Sequence, residues 1–294
     1  MNLRLSLGAA AICAIATVAS AQTKAPAAKP PQEKSQPVAP APAAAAPASS
    51  GDPLKDGLAS LEARNYEAAL QSFNEAYSAG KADGAFYLGR MLELGVGLQA
   101  DPEKARMLYL AAADKGSAKA LNRIGLMAFR GEGVLQDYKA ARETICKAAD
   151  LGDQDAQFNC AGLLAQGQGG DKDAAKAIGF YEKAAEQGHI GAMNALAYAY
   201  RDGTGVQQDA GKARAYFEKA AAKGNPVGLF EIGALYEAGN GGTPDLAKAH
   251  LYYNLASARQ HPQASEALQR VSAALAPAEV EKAQAEARAW KAIP

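Results

Sequence analysis

An all-α solenoid, made by stacking two-helix units, is the fold class this sequence predicts, and three observations predict it. Glycine returns at a constant interval of 36 residues, at Gly80, Gly116, Gly152, Gly188 and Gly224, with Gln260 in the sixth slot. A fixed period in this range marks a repeat array. With each of these residues as position 0, position 21 is aspartate in all five copies: Asp101, Asp137, Asp173, Asp209 and Asp245. After each aspartate, small or apolar residues recur at helical spacing, as in Ala213, Phe217, Ala220 and Ala221.

The chain begins with a targeting pattern. Arg4 gives a short basic start, Leu5 to Val18 is apolar, and Ala19-Ser20-Ala21 fits signal-peptidase cleavage after Ala21. Residues 1–21 are therefore read as a signal peptide and the mature chain as periplasmic or secreted. An uncleaved anchor is the alternative, although the apolar run is short of the roughly 20 residues a span requires. No later apolar run is long enough for a span, so none is expected after cleavage. Residues 22–52 are rich in alanine, lysine and glutamine, and eight prolines fall from Pro26 to Pro53, counting both. Such a segment buries too little to offset its ordering entropy and is expected to be a disordered linker.

The solenoid is assigned to residues 53–294. Residues 53–79 form a shortened opening hairpin, helices over 54–63 and 66–79 around Asn65, without the Gly-x-Gly loop of later copies. Five repeats fill residues 80–259. In each, a first helix covers about positions 3 to 14, with small or apolar residues at 4, 8, 9 and 12. Glycine at positions 15 and 17 then makes a loop that calls for positive φ. The position-21 aspartate N-caps the second helix, its carboxylate accepting from a first-turn N–H and opposing the positive helix end. That helix stops at the next position-0 glycine. Alanine at position 25 throughout (Ala105, Ala141, Ala177, Ala213, Ala249) lets neighbouring helices approach closely. A single hairpin leaves its apolar stripe exposed, so stacking supplies the core. Residues 260–294 make a closing helical pair, 262–275 and 277–291, with Pro277 in the first turn of the last helix and Trp290 over the apolar end.

The fourth copy carries a family pattern in Leu196, Ala197, Tyr200, Gly203, Gly205, Val206, Asp209, Lys212, Ala213, Phe217, Ala220, Ala221 and Gly224. It resembles the Sel-one-like repeat family, relatives of the tetratricopeptide solenoids, over about residues 54–291. Cys160, Ala128 and Ala140 depart from the pattern at positions 8, 12 and 24. The opening hairpin resembles a tetratricopeptide cap. The resemblance implies a right-handed superhelix whose concave face serves protein–protein interaction, frequently in bacterial envelopes and mostly without catalysis. Some cysteine-rich members are linked to β-lactam binding or hydrolysis.

Taking position 8 as buried and 100° per residue, positions 6, 10 and 13 point away from it, flanked by 3 and 14. That face carries Phe86, Arg90, Glu93, Asn122, Leu126, Phe129, Arg130, Phe158, Asn194, Tyr198, Arg201, Phe230 and Glu237. In related solenoids it lines the groove, and aromatic anchors with arginines suit an extended peptide or a partner helix. The plainer reading is that position 6, which alternates Phe and Asn, packs between first helices.

Thirty-one basic residues balance thirty-one acidic ones, which gives no electrostatic case for nucleic acid. Ser78-Ala79-Gly80-Lys81 matches S-x-x-K, but no S-D-N or K-T-G accompanies it. Gly205 to Lys212 has the wrong spacing for a phosphate loop. His189, His250 and His261 have no ligand spacing, so no metal or cofactor is implied. Cys146 and Cys160, at positions 30 and 44, lie symmetrically about an inter-unit turn, and export permits oxidation. Glutamate at position 30 in two other copies (Glu182, Glu218) argues that this position points outward. A disulfide and a pair of inert thiols both stay open. The expected function is a non-catalytic scaffold or adaptor that binds a protein or peptide of the cell envelope. The alternatives are a β-lactam or cell-wall hydrolase and a structural spacer.

Overall fold

The computed structural model describes residues 49–240 and 243–293; the expected signal peptide and most of the linker lie outside them. Among the described residues there are fourteen α-helices and no strand. α1 (Pro53–Glu62) and α2 (Tyr66–Ser78) form the opening hairpin. The five repeats are α3 (Ala82–Leu94) with α4 (Pro102–Asp114), α5 (Ala118–Arg130) with α6 (Tyr138–Asp150), α7 (Gln154–Gln166) with α8 (Ala174–Glu186), α9 (Ile190–Asp202) with α10 (Ala210–Ala222), and α11 (Pro226–Ala238) with α12 (Leu246–Ala258). α13 (Ala264–Ala273) and α14 (Pro277–Ala289) follow. From α1 to α13 each helix packs on the next, and α5 also touches α3 and α7, so the first helices form the inner side of the stack.

The helix boundaries follow from the residues at them. Every position-21 aspartate accepts from the N–H three residues on, at 2.9–3.0 Å. Asp137→Ala removes the acceptor for Ala140 N–H; a stability loss of about 1 kcal/mol is expected, measured by urea titration. Position 0 is left-handed in all five glycines, and Gln260 adopts the same geometry, with φ 62°. The position-17 glycines do more than turn the chain. A Cβ on Gly97 would lie 2.4 Å from Tyr66 Cβ, and one on Gly169 2.1 Å from the Tyr138 carbonyl oxygen. With Gly205, whose Cβ would stand 2.9 Å from Ala174, these loops sit on the start of the preceding unit's second helix; Gly133 makes no such close approach.

Within a unit, a large side chain at position 29 enters a gap at position 9 of the first helix. A Cβ on Gly89, Gly125 or Gly233 would collide with Tyr109, Ile145 or Tyr253 respectively. The position-25 alanines are buried in all five copies, and the largest apolar cluster spans α6 to α10, with Leu196 and Cys160 fully enclosed.

The ends differ from expectation. Asp52, expected in the linker, belongs to the folded part: it accepts from Leu54 N–H at 2.9 Å and pairs with Lys81 at 2.7 Å. At the other end α14 packs on α12 instead of closing a hairpin with α13. Ala287 and Trp290 join the cluster of Phe217, Ala221, Ile232 and Leu255, with the Arg259 guanidinium 4.8 Å over the indole. Ile293 N–H donates to Ala222 O at 2.8 Å. Trp290 therefore covers the flank of the last two repeats and not the apolar end.

Candidate inner-face binding site

The inner face is built differently at its two ends and its middle. Position 6 is an inter-unit joint. Phe86, Phe158 and Phe230 lie 5.7, 5.7 and 5.3 Å from the tyrosines Tyr109, Tyr181 and Tyr253. Phe158 and Phe230 also stack on His189 and His261 of the following unit, at 4.4 and 4.2 Å. Where position 6 is asparagine, amides replace rings: Asn159 Nδ2 donates to Asn122 Oδ1 at 3.1 Å, and Asn194 Nδ2 to Asn225 Oδ1 at 3.0 Å. The alternation of Phe and Asn is thus a packing pattern, and these residues shape the groove more than they line it.

The charged residues of this face are paired. Arg90 lies 2.8 Å from Glu93, which also accepts from Tyr109 Oη at 2.7 Å and from Arg123. Arg123 bridges on to Glu132 at 2.7 Å, and Arg130 reaches the same carboxylate at 3.3 Å. Burial pushes the Tyr109 hydroxyl up to about 12. Glu237 repeats the device at the far end, accepting from Tyr253 Oη at 2.7 Å and from Arg270 at 2.8 Å. Arg270 holds the Glu237 carboxyl below the usual range. Arg201 binds Asp202 at 2.8 Å and lies 4.7 Å over Tyr198, whose hydroxyl donates to Glu231 at 2.9 Å. Arg123, Glu132, Asn159, Glu231 and Arg270 are absent from the expected set. Arg123, Asn159 and Glu231 occupy position 7, which the helical-wheel argument leaves at the edge. Opposite charges recurring across units, as Glu93 with Arg123, were the available signal.

Among the described residues, the arginine–carboxylate bridges of this face lie in the units on either side of the middle one. Position 10 carries Arg90, Leu126, Tyr198 and Ala234 elsewhere but Gly162 here, and position 13 is Ala165. Between α5 and α7 this opens a mostly apolar cleft of about 90 Å3. Leu126 and Phe129 form one wall and Phe158 the other, over Ile145 and Tyr181; Arg130, Asn159 and Gln166 stand at its mouth. Four of the expected face residues, Leu126, Phe129, Arg130 and Phe158, thus converge on one feature. Phe86, Arg90, Glu93, Asn122, Asn194, Tyr198, Arg201, Phe230 and Glu237 lie elsewhere along the face.

Cys146 of α6 and Cys160 of α7 are disulfide-bonded, with Cα atoms 5.0 Å apart. Position 30 does not point outward as its glutamates suggested. Glu182 accepts from Tyr200 Oη of the next unit at 3.1 Å, so this position faces the neighbouring first helix, where Cys160 is fully buried. Ser78 ends α2 exposed, and the Lys81 ammonium is held on Asp52. Neither geometry assembles a nucleophile with a base. No group of three or more potential metal ligands occurs among the described residues.

The three histidines give a pH dependence. Burial depresses His189, His250 and His261 below the usual imidazole value. His189 Nδ1 also accepts from Ala192 N–H at 3.1 Å, as the N-cap of α9, a bond that protonation removes. With the folded pKa below the unfolded value of about 6.5, the unfolded chain takes up protons first as pH falls, so stability drops below about pH 6.5. Melting temperature is expected to fall from pH 7.5 to 5.5, with a shallower slope in His189→Asn, which keeps a capping acceptor.

Five consecutive stretches, 82–117, 118–153, 154–189, 190–225 and 226–261, match the family described as Sel1 repeat, and the chain belongs to that family. Among solved structures it is similar to a Sel1 repeat protein from Oxalobacter formigenes, 29% identical, covering 80% of this chain and 98% of that one, with a TM-score of 0.67. It is also similar to a protective antigen with an SLR fold from uropathogenic Escherichia coli strains, 25% identical over 78% of this chain, with a TM-score of 0.65. The chain spans 52% of that antigen's length. No curated protein sequence matches the chain. Proteins of this family act generally as scaffolds for protein–protein interaction, and no helix among the described residues is long and apolar enough to cross a membrane.

Proposed function

We propose that this chain is an exported adaptor of the cell envelope that holds a protein partner on its inner face, with the α5–α7 cleft as the anchor pocket. The observation that carries this reading is the cleft at Gly162, an apolar opening where other units place Arg90, Leu126, Tyr198 or Ala234. At about 90 Å3 it is smaller than the ~150 Å3 cavity that takes up benzene. It suits one apolar side chain and not a drug-sized or cell-wall substrate, whose pockets run to about 300 Å3 or more. Interfaces concentrate their energy in a few side chains seated in such pockets. Export is supported by Arg4, the apolar run and Ala19-Ser20-Ala21, and by a disulfide, which persists in an oxidising compartment. Amino-terminal sequencing of the mature protein is expected to begin at Gln22. The binding test is affinity capture with cross-linking from native envelopes, run side by side with wild type and Gly162→Leu. A partner retained by wild type and lost by the variant is expected; equal retention by both overturns the reading.

A further inference from the structure

Beside the cleft, α7 presents a stripe with no bulky side chain. Asp155, Asn159, Gly162 and Gln166 follow at intervals of four, three and four residues, which places them on one line of the inner face. Asp155 is exposed, with 64% of its side chain accessible. Its surroundings carry surplus negative charge. Lys119 serves two other carboxylates, Asp83 at 3.3 Å and Asp153 at 4.0 Å. The group facing Asp155 itself is the His189 imidazole, 3.6 Å away. Burial keeps that ring in its neutral form at physiological pH. Gly191, the matching residue of the next unit, adds no side chain over the carboxylate. Asn159 gives one N–H to Asn122, and a carboxamide has a second donor and acceptor lone pairs to offer.

We infer that the inner face selects an extended segment of a partner protein that carries an apolar anchor residue and, three residues from it, a lysine or arginine. The apolar side chain enters the cleft at Gly162, the segment's backbone bonds the Asn159 carboxamide, and the cation reaches Asp155. The register follows from helix geometry: seven residues of α7 at about 1.5 Å each separate Gly162 from Asp155 by about 10 Å, which an extended chain covers in about three residues. An acidic segment is disfavoured, because the arginine at the cleft mouth, Arg130, is already bound to Glu132 while Asp155 has no cation.

This inference rests on the proposed anchor pocket, and the test separates the two. A phage-displayed random 12-residue library is selected on the full wild-type chain, and the recovered sequences are made as fluorescein-labelled peptides for anisotropy titration. The expected sequences pair an apolar residue with Lys or Arg three positions away. Asp155→Asn is expected to weaken them by about three- to fivefold, the range of an exposed ion pair. Asp155→Lys is expected to weaken them further, and replacing the peptide cation by Glu to restore part of that loss. Gly162→Leu is expected to remove binding of all of them. Peptides that need Gly162 but show no basic residue, or are indifferent to Asp155, overturn the charge inference and leave the anchor pocket standing. Peptides indifferent to Gly162→Leu, or a library that yields none, overturn both.

Discussion

Gly162→Leu is expected to lower affinity for the native partner by about 100-fold while leaving the protein at least as stable as wild type. The stability half follows from the local structure. Gly162 sits in the interior of α7, where glycine costs about 1 kcal/mol relative to a good helix former. A Cβ there meets Tyr181 Oη at 3.8 Å, an ordinary contact, and the rest of a leucine side chain falls into the cleft. The binding half follows from occupancy: a pocket filled from within no longer admits the partner's anchor, and such anchors contribute about 2–4 kcal/mol. Gly125→Ala is the control. Its Cβ would stand 2.4 Å from Ile145 Cγ1, so it should destabilise the chain. Thermal melts beside binding titrations check both halves; an unaltered affinity in Gly162→Leu removes the cleft from the binding mechanism.

The second large effect concerns the bond between α6 and α7. Replacing Cys146 and Cys160 together by alanine is expected to cost about 3 kcal/mol, the loop-closure value for a ring of about 15 residues. The cysteines are 14 apart in sequence. Alanine is the better probe than serine, because Cys160 is fully buried and a hydroxyl there would lack a partner. The loss should appear in urea titration and be reproduced by a reductant on the wild type. Binding should weaken too, since Ile145 and Asn159, each next to a cysteine, line the cleft. If iodoacetamide labels both thiols without prior reduction, the bond is absent in the isolated protein and the stability effect should vanish.

Much of this architecture is legible in one sequence because its determinants are local. A glycine that must adopt positive φ and an aspartate that caps the helix after it recur every 36 residues, which fixes both helices of each unit. The caps at Asp101, Asp137, Asp173, Asp209 and Asp245 follow from their neighbours in the chain. The groove residues are less legible because their roles depend on partners about one repeat away. Glu93 meets Arg123 thirty residues on, and Tyr198 meets Glu231 across thirty-three. A helical wheel sees one helix and assigns Arg90 or Arg201 to the groove as free charges, whereas each lies on a carboxylate. The cleft is harder still to read, since it consists of a side chain that is absent at Gly162. Pro277 marks where α14 starts, but the direction it takes depends on the apolar flank of α12.

That last helix sets how the array comes apart. In a stack where each unit touches only its neighbours, the terminal unit frays first and the rest follow in turn. Here the segment after α14, from Trp290 to Ile293, runs back to Gly224 and the Ala222 carbonyl, fastening the fourth repeat to the end beyond the fifth. The fifth repeat is buckled between them, so loosening at this terminus requires the strap to detach before any hairpin can leave.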